Sequence, residues 1–446
     1  MNQPTGQLPR LITHGRPLGL RAHIARYGPL PAASGAARGR DGPGAAPLIT
    51  SIERAGLTGR GGAGFPTARK MRAVAAAGGR RGRGGPAVVV ANGAESEPAS
   101  GKDAVLLGQS PHLVLDGIAA AAAAIGATDA YLCVDGGYPQ RVRQLSAAIG
   151  ERADAQLDQV PVELVTLPGG YVASEESALV NFLNGGPAVP LYVPPRPFER
   201  GVGGRATLVN NVETLAHVAL IGRYGPDWFR SVGTEAAPGS ALLTISGAVH
   251  RPGVYEVALG TRLGDLIALA GGAPEPPQAI LAGGYFGGWL PLPAAADVPA
   301  SHPGLRAAGA ALGSGVLIVL PESACGIAET ARVFRYLAGQ SAGQCGPCSY
   351  GLPAIADALD HIAFQGGDER ADAWVRQIMP LVRGRGACHF PDGAVALAAS
   401  ALQVFGADLE HHLRYGPCPR ARRPPVLPVP VAAEQQPGRG PGDRSP

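Results

Sequence analysis

The pattern of hydrophobic and polar positions divides the chain into three parts with different periodicity. In the first part, short apolar runs bounded by turn residues predict strands, at residues 87–91, 130–134 and 162–167. Stretches with helical spacing alternate with them and predict helices, at residues 48–55, 112–125 and 140–152. Because strands and helices alternate, we expect βα units and a mainly parallel sheet.

The pattern changes after about residue 240. Two strands, at residues 242–247 and 251–257, precede a helix at residues 263–270, which predicts a small α/β or β-grasp unit. Helical periodicity then returns at residues 328–337, 352–363, 371–382 and 394–405, which is enough for a four-helix bundle. The predicted fold class is therefore α/β, with a Rossmann-like domain, then a β-grasp domain, then a C-terminal four-helix bundle.

Composition and charge exclude several classes of function. The 446 residues carry a net charge of only +4, and the basic residues form no block with interleaved aromatic side chains, so we expect no nucleic-acid partner. The sequence has no apolar run of membrane-spanning length and no secretory signal, which predicts a cytoplasmic protein without direct membrane insertion. Six cysteines are too few for a disulfide scaffold, so close cysteine spacing indicates a metal instead.

A glycine-rich stretch at residues 59–64, followed by Lys70, indicates a loop that approaches a ligand. Free backbone amides in such a loop form an anion site, and a nearby lysine adds a point charge for a phosphate. The stretch matches neither GxGxxG nor a Walker motif, and a plain surface turn is the alternative. Lys70 and Lys102 are the only lysines of the chain, which suggests that each contacts a phosphate.

Three polar segments follow predicted strands or open predicted helices. Polar side chains at the carboxyl edge of a parallel sheet commonly bind ligands, although turns, helix-dipole pairs and capping boxes explain the same residues. The candidate side chains in these segments are Asn92, Glu95, Glu97, Tyr171, Glu175, Glu176, Asn210, Asn211 and Thr214.

Three cysteines have spacing typical of a metal or iron-sulfur centre. Cys345 and Cys348 form a C-x-x-C pair, which places two thiolates at neighbouring coordination positions. Cys388 follows about forty residues later in the sequence. These cysteines could hold a 4Fe-4S cluster whose fourth ligand comes from outside or is His389 or Cys325. Three alternatives remain open: a 3Fe-4S cluster, a zinc ion with His389, and an empty site.

The chain resembles the FMN- and NADH-binding subunit of respiratory complex I in three motifs, GRGGAGFPT with the following lysine, ATLVNNVET and CGPC. This family includes diaphorase subunits of NAD-linked formate dehydrogenases and hydrogenases. The resemblance covers about residues 20–415 in one collinear order. It implies an FMN/NADH-binding α/β domain at 46–235, a soluble-ligand-binding β-grasp domain at 236–322 and a helical iron-sulfur domain at 323–418. The Pro-, Gly- and Arg-rich composition of the two ends predicts a partly ordered arm at residues 1–45 and a disordered tail at 419–446.

The resemblance also implies the roles of single residues. FMN contacts are expected from Gly59, Arg60, Gly61, Gly62, Gly64, Lys70, Asn92, Tyr171, Asn210, Asn211 and Thr214, and Phe65 is the cofactor-binding residue expected on the NADH side. The expected catalytic carboxylates are Glu95, Glu97, Glu175 and Glu176, and the expected cluster ligands are Cys345, Cys348 and Cys388.

The chain departs from the family at several functional positions. Ala342 replaces the first cysteine of the cluster motif, and Ser174 replaces a glycine beside the flavin. On the NADH side, stacking aromatics are replaced by Met71 and Ala73, an aspartate by Ala94 and a basic residue by Val193.

The resemblance implies an oxidoreductase subunit that passes electrons from NADH through FMN to a 4Fe-4S centre and a partner. The expected partner is a thioredoxin-like 2Fe-2S subunit or another iron-sulfur protein, within a complex peripheral to a membrane. Two alternatives remain open, an FMN electron-transfer subunit with a donor other than NADH and a cofactor-poor assembly scaffold.

Overall fold

The computed structural model describes residues 7–13, 15, 17–30, 45–78, 85–366 and 368–430. Its first part contains eight helices and four strands in mixed order among these residues. They are α1 (Leu20–Tyr27), α2 (Ala45–Ala55), α3 (Thr67–Gly78), β1 (Ala87–Gly93), α4 (Lys102–Gln109), α5 (Pro111–Ile125), β2 (Ala127–Asp135), α6 (Pro139–Asp154), β3 (Val162–Leu167), α7 (Glu176–Leu183), β4 (Thr207–Asn211) and α8 (Val212–Arg230).

The four strands form one parallel sheet in the order β3-β2-β1-β4. Strand β1 lies inside this sheet, and its residues from Ala87 to Ala91 are all buried, as expected for a parallel strand covered on both faces. The predicted α/β class with a parallel sheet is confirmed. Strand β4 was not predicted, because we interpreted its residues as the approach to a capped helix.

The middle part forms a five-stranded mixed sheet in the order β6-β5-β9-β7-β8. Its elements are β5 (Ser240–Gly247), β6 (Gly253–Ala258), α9 (Leu263–Leu269), β7 (Pro277–Ala282), β8 (Gly288–Pro291), α10 (His302–Ala307) and β9 (Val316–Pro321). The predicted β5/β6 pair is antiparallel, whereas β5 and β9 pair in parallel. Sequence analysis found the first hairpin and helix but not the later three strands.

The last part is helical, with α11 (Gly326–Gln340), α12 (Leu352–Asp360), α13 (Glu369–Val382), α14 (Phe390–Val404) and α15 (Gly406–Tyr415). The four predicted helices are present, and α15 is an additional one. A π-helical turn at Pro347–Gly351 precedes α12 and contains Cys348. Such turns often occur at functional sites.

Residues 419–430 are ordered, so the predicted disordered tail is wrong for this stretch; residues 431–446 lie outside the described part. A short 3-10 turn forms at Pro419–Arg422, and Leu427 is 1% exposed. The carboxylate of Glu329 accepts hydrogen bonds from the amides of Val426 and Leu427 at 3.1 and 3.0 Å. The prediction failed because a few apolar side chains, Ala421 and Leu427 among them, and several backbone contacts fix this Pro- and Arg-rich segment on the helical core.

The hydrophobic core of the helical part is continuous with two other regions. The same cluster contains Phe334 of α11, Leu281 and Trp289 of the five-stranded sheet, and Tyr171 from the segment before α7. The helical part therefore packs on both the middle sheet and the end of the first part, which positions the cysteine segment beside the carboxyl edge of the parallel sheet.

No single helix among the described residues is long and apolar enough to cross a membrane. Two sharply bent helix pairs, α4 with α5 and α14 with α15, meet the criteria of length and composition only when each pair is taken together.

Candidate functional site

The glycine loop, the end of β1 and the start of α8 meet at one edge of the parallel sheet. Asn92 and Asn211 lie opposite each other in the β1/β4 register. The backbone amide of Arg60 donates to the hydroxyl of Thr214 at 2.9 Å. A Cβ atom at Gly61 would lie 3.2 Å from the Cβ of Asn211, so this close approach favours glycine. The structure therefore brings together three of the predicted cofactor segments.

The loop also contacts the middle part of the chain. Gly62 and Gly64 have φ angles of 114° and 63°, which glycine adopts without strain. Gly62 forms a bridge with Gly313, and a Cβ atom at Gly64 would lie 2.7 Å from the ring of His302. Sequence analysis missed this contact, because no local signal links residue 64 to residues 302 and 313.

Lys70 extends from α3 toward the sheet edge. Its ammonium donates to the carbonyl of Val209 at 2.7 Å and to the carboxylate of Glu176 at 2.9 Å. The neighbouring Asn210 is 7% exposed, and its Nδ2 atom has no hydrogen-bond partner among the described residues. A positive charge and an unsatisfied amide donor therefore meet at the same edge, as a polar ligand with acceptor oxygens requires.

Lys102 does not have a free ammonium, so its predicted phosphate contact is wrong. Its three donors are matched by three acceptors, the carboxylates of Asp103 and Glu213 and the side-chain oxygen of Asn211, at 2.7, 3.0 and 3.1 Å. Burial would lower the pKa of Lys102, but the two carboxylates outweigh it and raise this pKa. Lys102 is therefore the centre of a buried ion network.

Arg60 has a buried side chain that faces the protein. Its guanidinium donates to the carbonyl oxygens of Thr58 and Ser240 at 3.2 and 3.1 Å and lies 3.9 Å from the carboxylate of Glu213. Phe65, in contrast, is 49% exposed, with the Arg69 guanidinium 5.5 Å from its ring centroid. The side chain of Arg60 is therefore occupied inside the protein, and only its backbone can contribute to a ligand site. The ring of Phe65, in contrast, is accessible to solvent.

Glu95 and Glu175 both cap helices. Glu95 accepts from the amides of Asp103 and Ala104 at 3.1 and 3.0 Å, at the start of α4. Glu175 accepts from the amides of Ser177 and Ala178 at the start of α7, at 2.8 and 3.1 Å. These bonds satisfy amides that a helix leaves unpaired at its N-terminus.

Glu97 is buried between the three parts of the chain. Its carboxylate accepts from the hydroxyl of Tyr171 at 2.7 Å and from the amide of Tyr285 at 2.8 Å. Burial raises the pKa of Glu97 to about 7, although these hydrogen bonds oppose the shift. Sequence analysis found Glu97 and Tyr171 but gave no sign that Tyr285 would join them.

Two further predicted residues have their polar groups engaged at this edge. The Asn92 amide donates to the carbonyl of Ser174 at 2.8 Å, and Asn211 caps α8 by accepting from the amide of Glu213 at 3.0 Å. The Ser174 hydroxyl lies 2.5 Å from that of Ser96. These contacts fix the loop after β1 against the segment before α7.

The structure groups the thiols of Cys345, Cys348 and Cys388 near one another. Cys345, Cys388 and the hydroxyl of Ser341 all lie close enough to Cys348 to influence the pKa of its thiol. Burial raises the pKa of Cys348 to about 12. Neither alternative outside ligand fits. The His389 side chain is 97% exposed and pairs with Asp392, whereas the thiol of Cys325 lies 3.5 Å from His412 in another cluster.

Aromatic side chains connect the sheet edge to the cysteines. The ring of Tyr171 lies 5.6 Å from Phe390, two residues after Cys388, and 4.8 Å from Phe286. The charge of Glu175 acts on the thiol of Cys388. Glu176, the next residue, pairs with Lys70. The two predicted sites are therefore neighbours within one assembly of side chains.

Comparison with known proteins agrees with this arrangement. Three family models match the chain: the Nuo51 FMN-binding domain at residues 52–220, the SLBB domain at 242–285 and the NADH-ubiquinone oxidoreductase-F iron-sulfur binding region at 328–412.

Similar proteins include the second F-type subunit of NADH-quinone oxidoreductase in Rhizobium meliloti (strain 1021), 32% identical over 83% of this chain and 90% of the relative. The NADP-reducing hydrogenase subunit HndC of Solidesulfovibrio fructosivorans is 30% identical over 84% of this chain and 77% of its own length. Among solved structures, NAD+-reducing [NiFe]-hydrogenase in the H2-reduced state has a TM-score of 0.79 at 32% identity, covering 90% of this chain and 68% of that chain.

Proposed function

Because the chain belongs to the family of F-type subunits of NADH-quinone oxidoreductase, we propose that it is the electron-input subunit of a larger enzyme. It takes electrons from NADH through FMN and passes them to an iron-sulfur centre. The observation that carries this proposal is the adjacency of the two sites. Glu176 pairs with Lys70 at the sheet edge, and its neighbour Glu175 lies within electrostatic reach of the Cys388 thiol.

The residues at the sheet edge fit an FMN molecule. The buried, unpaired Nδ2 of Asn210 is a donor without an acceptor among the described residues, and the isoalloxazine and ribityl groups are rich in acceptors. Lys70 supplies the nearby positive charge, and the glycines permit a close approach of the backbone. When bound, FMN supplies hydride acceptance and single-electron release, while the protein supplies placement and electrostatics.

The carboxylates divide into two groups in this proposal. Glu176 is half-buried beside Lys70 and is the glutamate placed to meet a cofactor or NADH. Glu95, Glu97 and Glu175 are positioning residues, because their oxygens are engaged by helix amides or by Tyr171 and Tyr285.

An accessible aromatic side chain that could stack on NADH is present on the glycine loop. Met71, at a position where the family has a stacking aromatic residue, is 0% exposed, so its side chain packs in the core and does not reach a ligand. Phe65 is 49% exposed on the glycine loop, with Arg69 above its ring. We assign stacking on the dinucleotide to Phe65, with Arg69 as the nearby cation.

The cysteines fit an iron-sulfur cluster with three thiolate ligands. Ala342 removes the fourth thiolate, and the hydroxyl of the preceding residue, Ser341, is a polar group close enough to influence the pKa of Cys348. We propose a 4Fe-4S cluster held by Cys345, Cys348 and Cys388, with oxygen rather than sulfur at the fourth position. This replaces the two outside ligands predicted from the sequence.

The relatives are subunits of quinone oxidoreductases and hydrogenases, which implies electron-transfer partners for this chain. We propose a thioredoxin-like 2Fe-2S subunit or another iron-sulfur protein as the partner, in a complex peripheral to a membrane. The cytoplasmic location stays a prediction.

Steady-state turnover tests the donor. With the flavin-loaded protein and ferricyanide as acceptor, we expect NADH to be consumed. Phe65→Ala should raise KM for NADH by about tenfold with a smaller change in kcat, because stacking is worth about 1 kcal/mol or more. Tyr138→Ala, an equally exposed aromatic on the first part, is the matched control and should leave KM unchanged.

Two outcomes would contradict the proposal. Loaded flavin without NADH consumption would favour the alternative of another electron donor. Purified protein that binds no flavin under any loading condition would favour the assembly scaffold.

A further inference from the structure

Two cysteines and a histidine converge at a place distant from the cluster cysteines along α11. Cys325 precedes α11, His412 lies in the last turn of α15, and Cys418 follows α15. Their ligand atoms all lie within 4.8 Å of one another, and Cys325 Sγ is 3.5 Å from His412 Nε2. The three residues are 1%, 0% and 5% exposed. Two thiols and an imidazole in a buried group are typical ligands of zinc.

The surroundings orient each ligand toward a common centre. The Nδ1 of His412 lies 3.1 Å from the carbonyl oxygen of Ile362, so Nδ1 carries the proton and Nε2 has the lone pair. A carbonyl partner of this kind is the usual support for a metal-bound histidine. Nε2 lies 3.5 Å from Cys325 Sγ and accepts from the amide of Cys418 at 3.3 Å, a contact that a bound ion would replace. Cys325 Sγ accepts from the amide of Ala328 at 3.4 Å at the start of α11.

Asp408 lies one turn before His412 on α15, so the two side chains are on the same face of the helix. One carboxylate oxygen of Asp408 pairs with Arg420, and the other, Oδ2, is buried without a hydrogen-bond partner among the described residues. The group whose ligand atoms lie within 4.8 Å of one another consists of Cys325, His412 and Cys418, so Asp408 lies outside it in this structure. A four-coordinate zinc ion needs one more ligand, and the unpaired oxygen of Asp408 is the candidate on this face of α15.

The contacts around the group indicate what a bound ion would hold together. The segment after Cys418 returns along α11, where the Arg332 guanidinium donates to the carbonyl of Ala421 at 2.8 Å and Glu329 accepts two amides. Helix α11 begins at this group and ends at Ser341, in the cluster loop. An ion here would fasten the C-terminal segment and α15 to the helix that supports the cluster.

We propose that Cys325, Asp408, His412 and Cys418 bind one structural zinc ion, separate from the iron-sulfur cluster. Zinc suits the site because it prefers tetrahedral sulfur and nitrogen ligands and has no redox chemistry to compete with the cluster. The inference does not depend on the flavin or on NADH.

Metal analysis of the full-length protein, purified anaerobically without added zinc, tests the proposal. We expect about one zinc per chain, with X-ray absorption showing two sulfur neighbours at about 2.3 Å and nitrogen or oxygen at about 2.0–2.1 Å. Cys418→Ser should lose most of the zinc and keep its iron. Cys348→Ser should lose iron and keep its zinc, and Cys133→Ser, a buried cysteine in β2, should keep both.

Three results would overturn the assignment: less than about 0.1 zinc per chain in the wild type, iron with this ligand set, or full zinc retention in Cys418→Ser. If Cys418→Ser does not fold, cobalt substitution of the wild-type protein decides. Tetrahedral cobalt with thiolate charge-transfer absorption, retained in Cys348→Ser, supports the site, and octahedral cobalt without thiolate absorption contradicts it.

Discussion

At the scale of single residues, Lys70 is the cation that we propose for the flavin site. Replacing it in Lys70→Met removes a charge-assisted contact but keeps the stem, so we expect FMN binding to weaken by about 10- to 100-fold, equivalent to about 1.5–3 kcal/mol. Fluorescence titration of the apoprotein with FMN measures the change. Arg69→Met, on the adjacent position of α3, should have little effect on FMN, and an equal loss in both variants would contradict the assignment.

Ala342 accounts for a cluster that lacks one thiolate. In Ala342→Cys the cluster gains the missing ligand, so we expect air exposure to bleach it at least several-fold more slowly than in the wild type. Iron content and visible absorbance during the exposure measure this. Ala338→Cys, one turn earlier on α11, adds a cysteine without completing the motif. If the cluster bleaches at the wild-type rate in both variants, the missing fourth thiolate does not determine how fast air destroys it.

Glu97 connects stability to pH through its raised pKa. Burial raises this pKa from 4.5 to about 7, so between these values the folded protein holds a proton that the unfolded chain has released. The Glu97 contribution to stability is therefore present below pH 4.5, falls as pH rises, at up to about 1.4 kcal/mol per pH unit, and is lost above pH 7.

Glu97→Gln removes this titration because its side chain stays neutral. We expect the melting temperature of the wild type, relative to Glu97→Gln, to be higher at pH 5 than at pH 8 in calorimetry. Glu176→Gln, with a more exposed carboxylate, is the control and should show a smaller pH dependence. A wild-type melting temperature that rises relative to Glu97→Gln over this interval would show that Glu97 is ionised throughout.

The site residues show how far single positions can be predicted from the sequence. The motif residues Gly61 and Asn210 were found from the sequence and lie at the same sheet edge, and Cys348 lies near Cys345, while their cofactor roles stay predictions. The caps made by Glu95 and Glu175 were indistinguishable from catalytic carboxylates, because only the three-dimensional path of the chain brings the α4 amides to Glu95. The zinc group left one signal that was overlooked, a histidine and a cysteine six residues apart at positions 412 and 418.

At the scale of elements, Asp116 on α5 joins four helices. Its carboxylate contacts His23 on α1 at 2.6 Å, Arg152 on α6 at 2.8 Å, and Arg223 on α8. Burial would raise the pKa of Asp116, but the hydrogen bond from His23 and the two arginines outweigh it and hold this pKa well below its usual value. The contribution of Asp116 to stability is therefore present above the usual carboxyl pKa and is lost as acid protonates the folded form.

Asp116→Asn leaves the two buried arginines without their counter-ion. We expect it to destabilise the first part by about 3–5 kcal/mol, which lowers the melting temperature by about 10 °C at neutral pH. Calorimetry at neutral and acidic pH measures the loss, which should shrink below about pH 4 as the wild-type carboxylate protonates. Asp154→Asn, on the exposed side of α6, should have almost no effect. If Asp116→Asn leaves the melting temperature unchanged, the network does not hold α1 in place.

Element prediction succeeded where periodicity was unbroken and failed where partners came from far along the chain. The valines of β1 and the alanine-rich α5 are local signals, and both elements were predicted. Strand β4 is only five residues long and leads directly into α8, so its pairing with β1 left no periodic signal. Glycines and prolines interrupt the region from β7 to β9, whose parallel and antiparallel pairs depend on the whole sheet.

At the scale of the whole molecule, one continuous core joins the flavin edge, the middle sheet and the helical part. Tyr171, Tyr285 and Phe390 belong to this cluster, and the first two hydrogen-bond to Glu97. The middle part supplies Tyr285 to this junction and His302 to the glycine loop. The collinear order of the three parts follows from the sequence, but their mutual packing does not, because it rests on contacts across hundreds of residues.

The central claim is that this chain accepts electrons from NADH on a flavin and delivers them to its own cluster. An anaerobic visible spectrum of the iron-reconstituted, FMN-loaded protein before and after stoichiometric NADH tests it most directly. We predict that the flavin band bleaches and that the broad absorbance of the cluster falls with it. A flavin band that persists with NADH, but bleaches with dithionite, would contradict the claim and assign the protein to another electron donor.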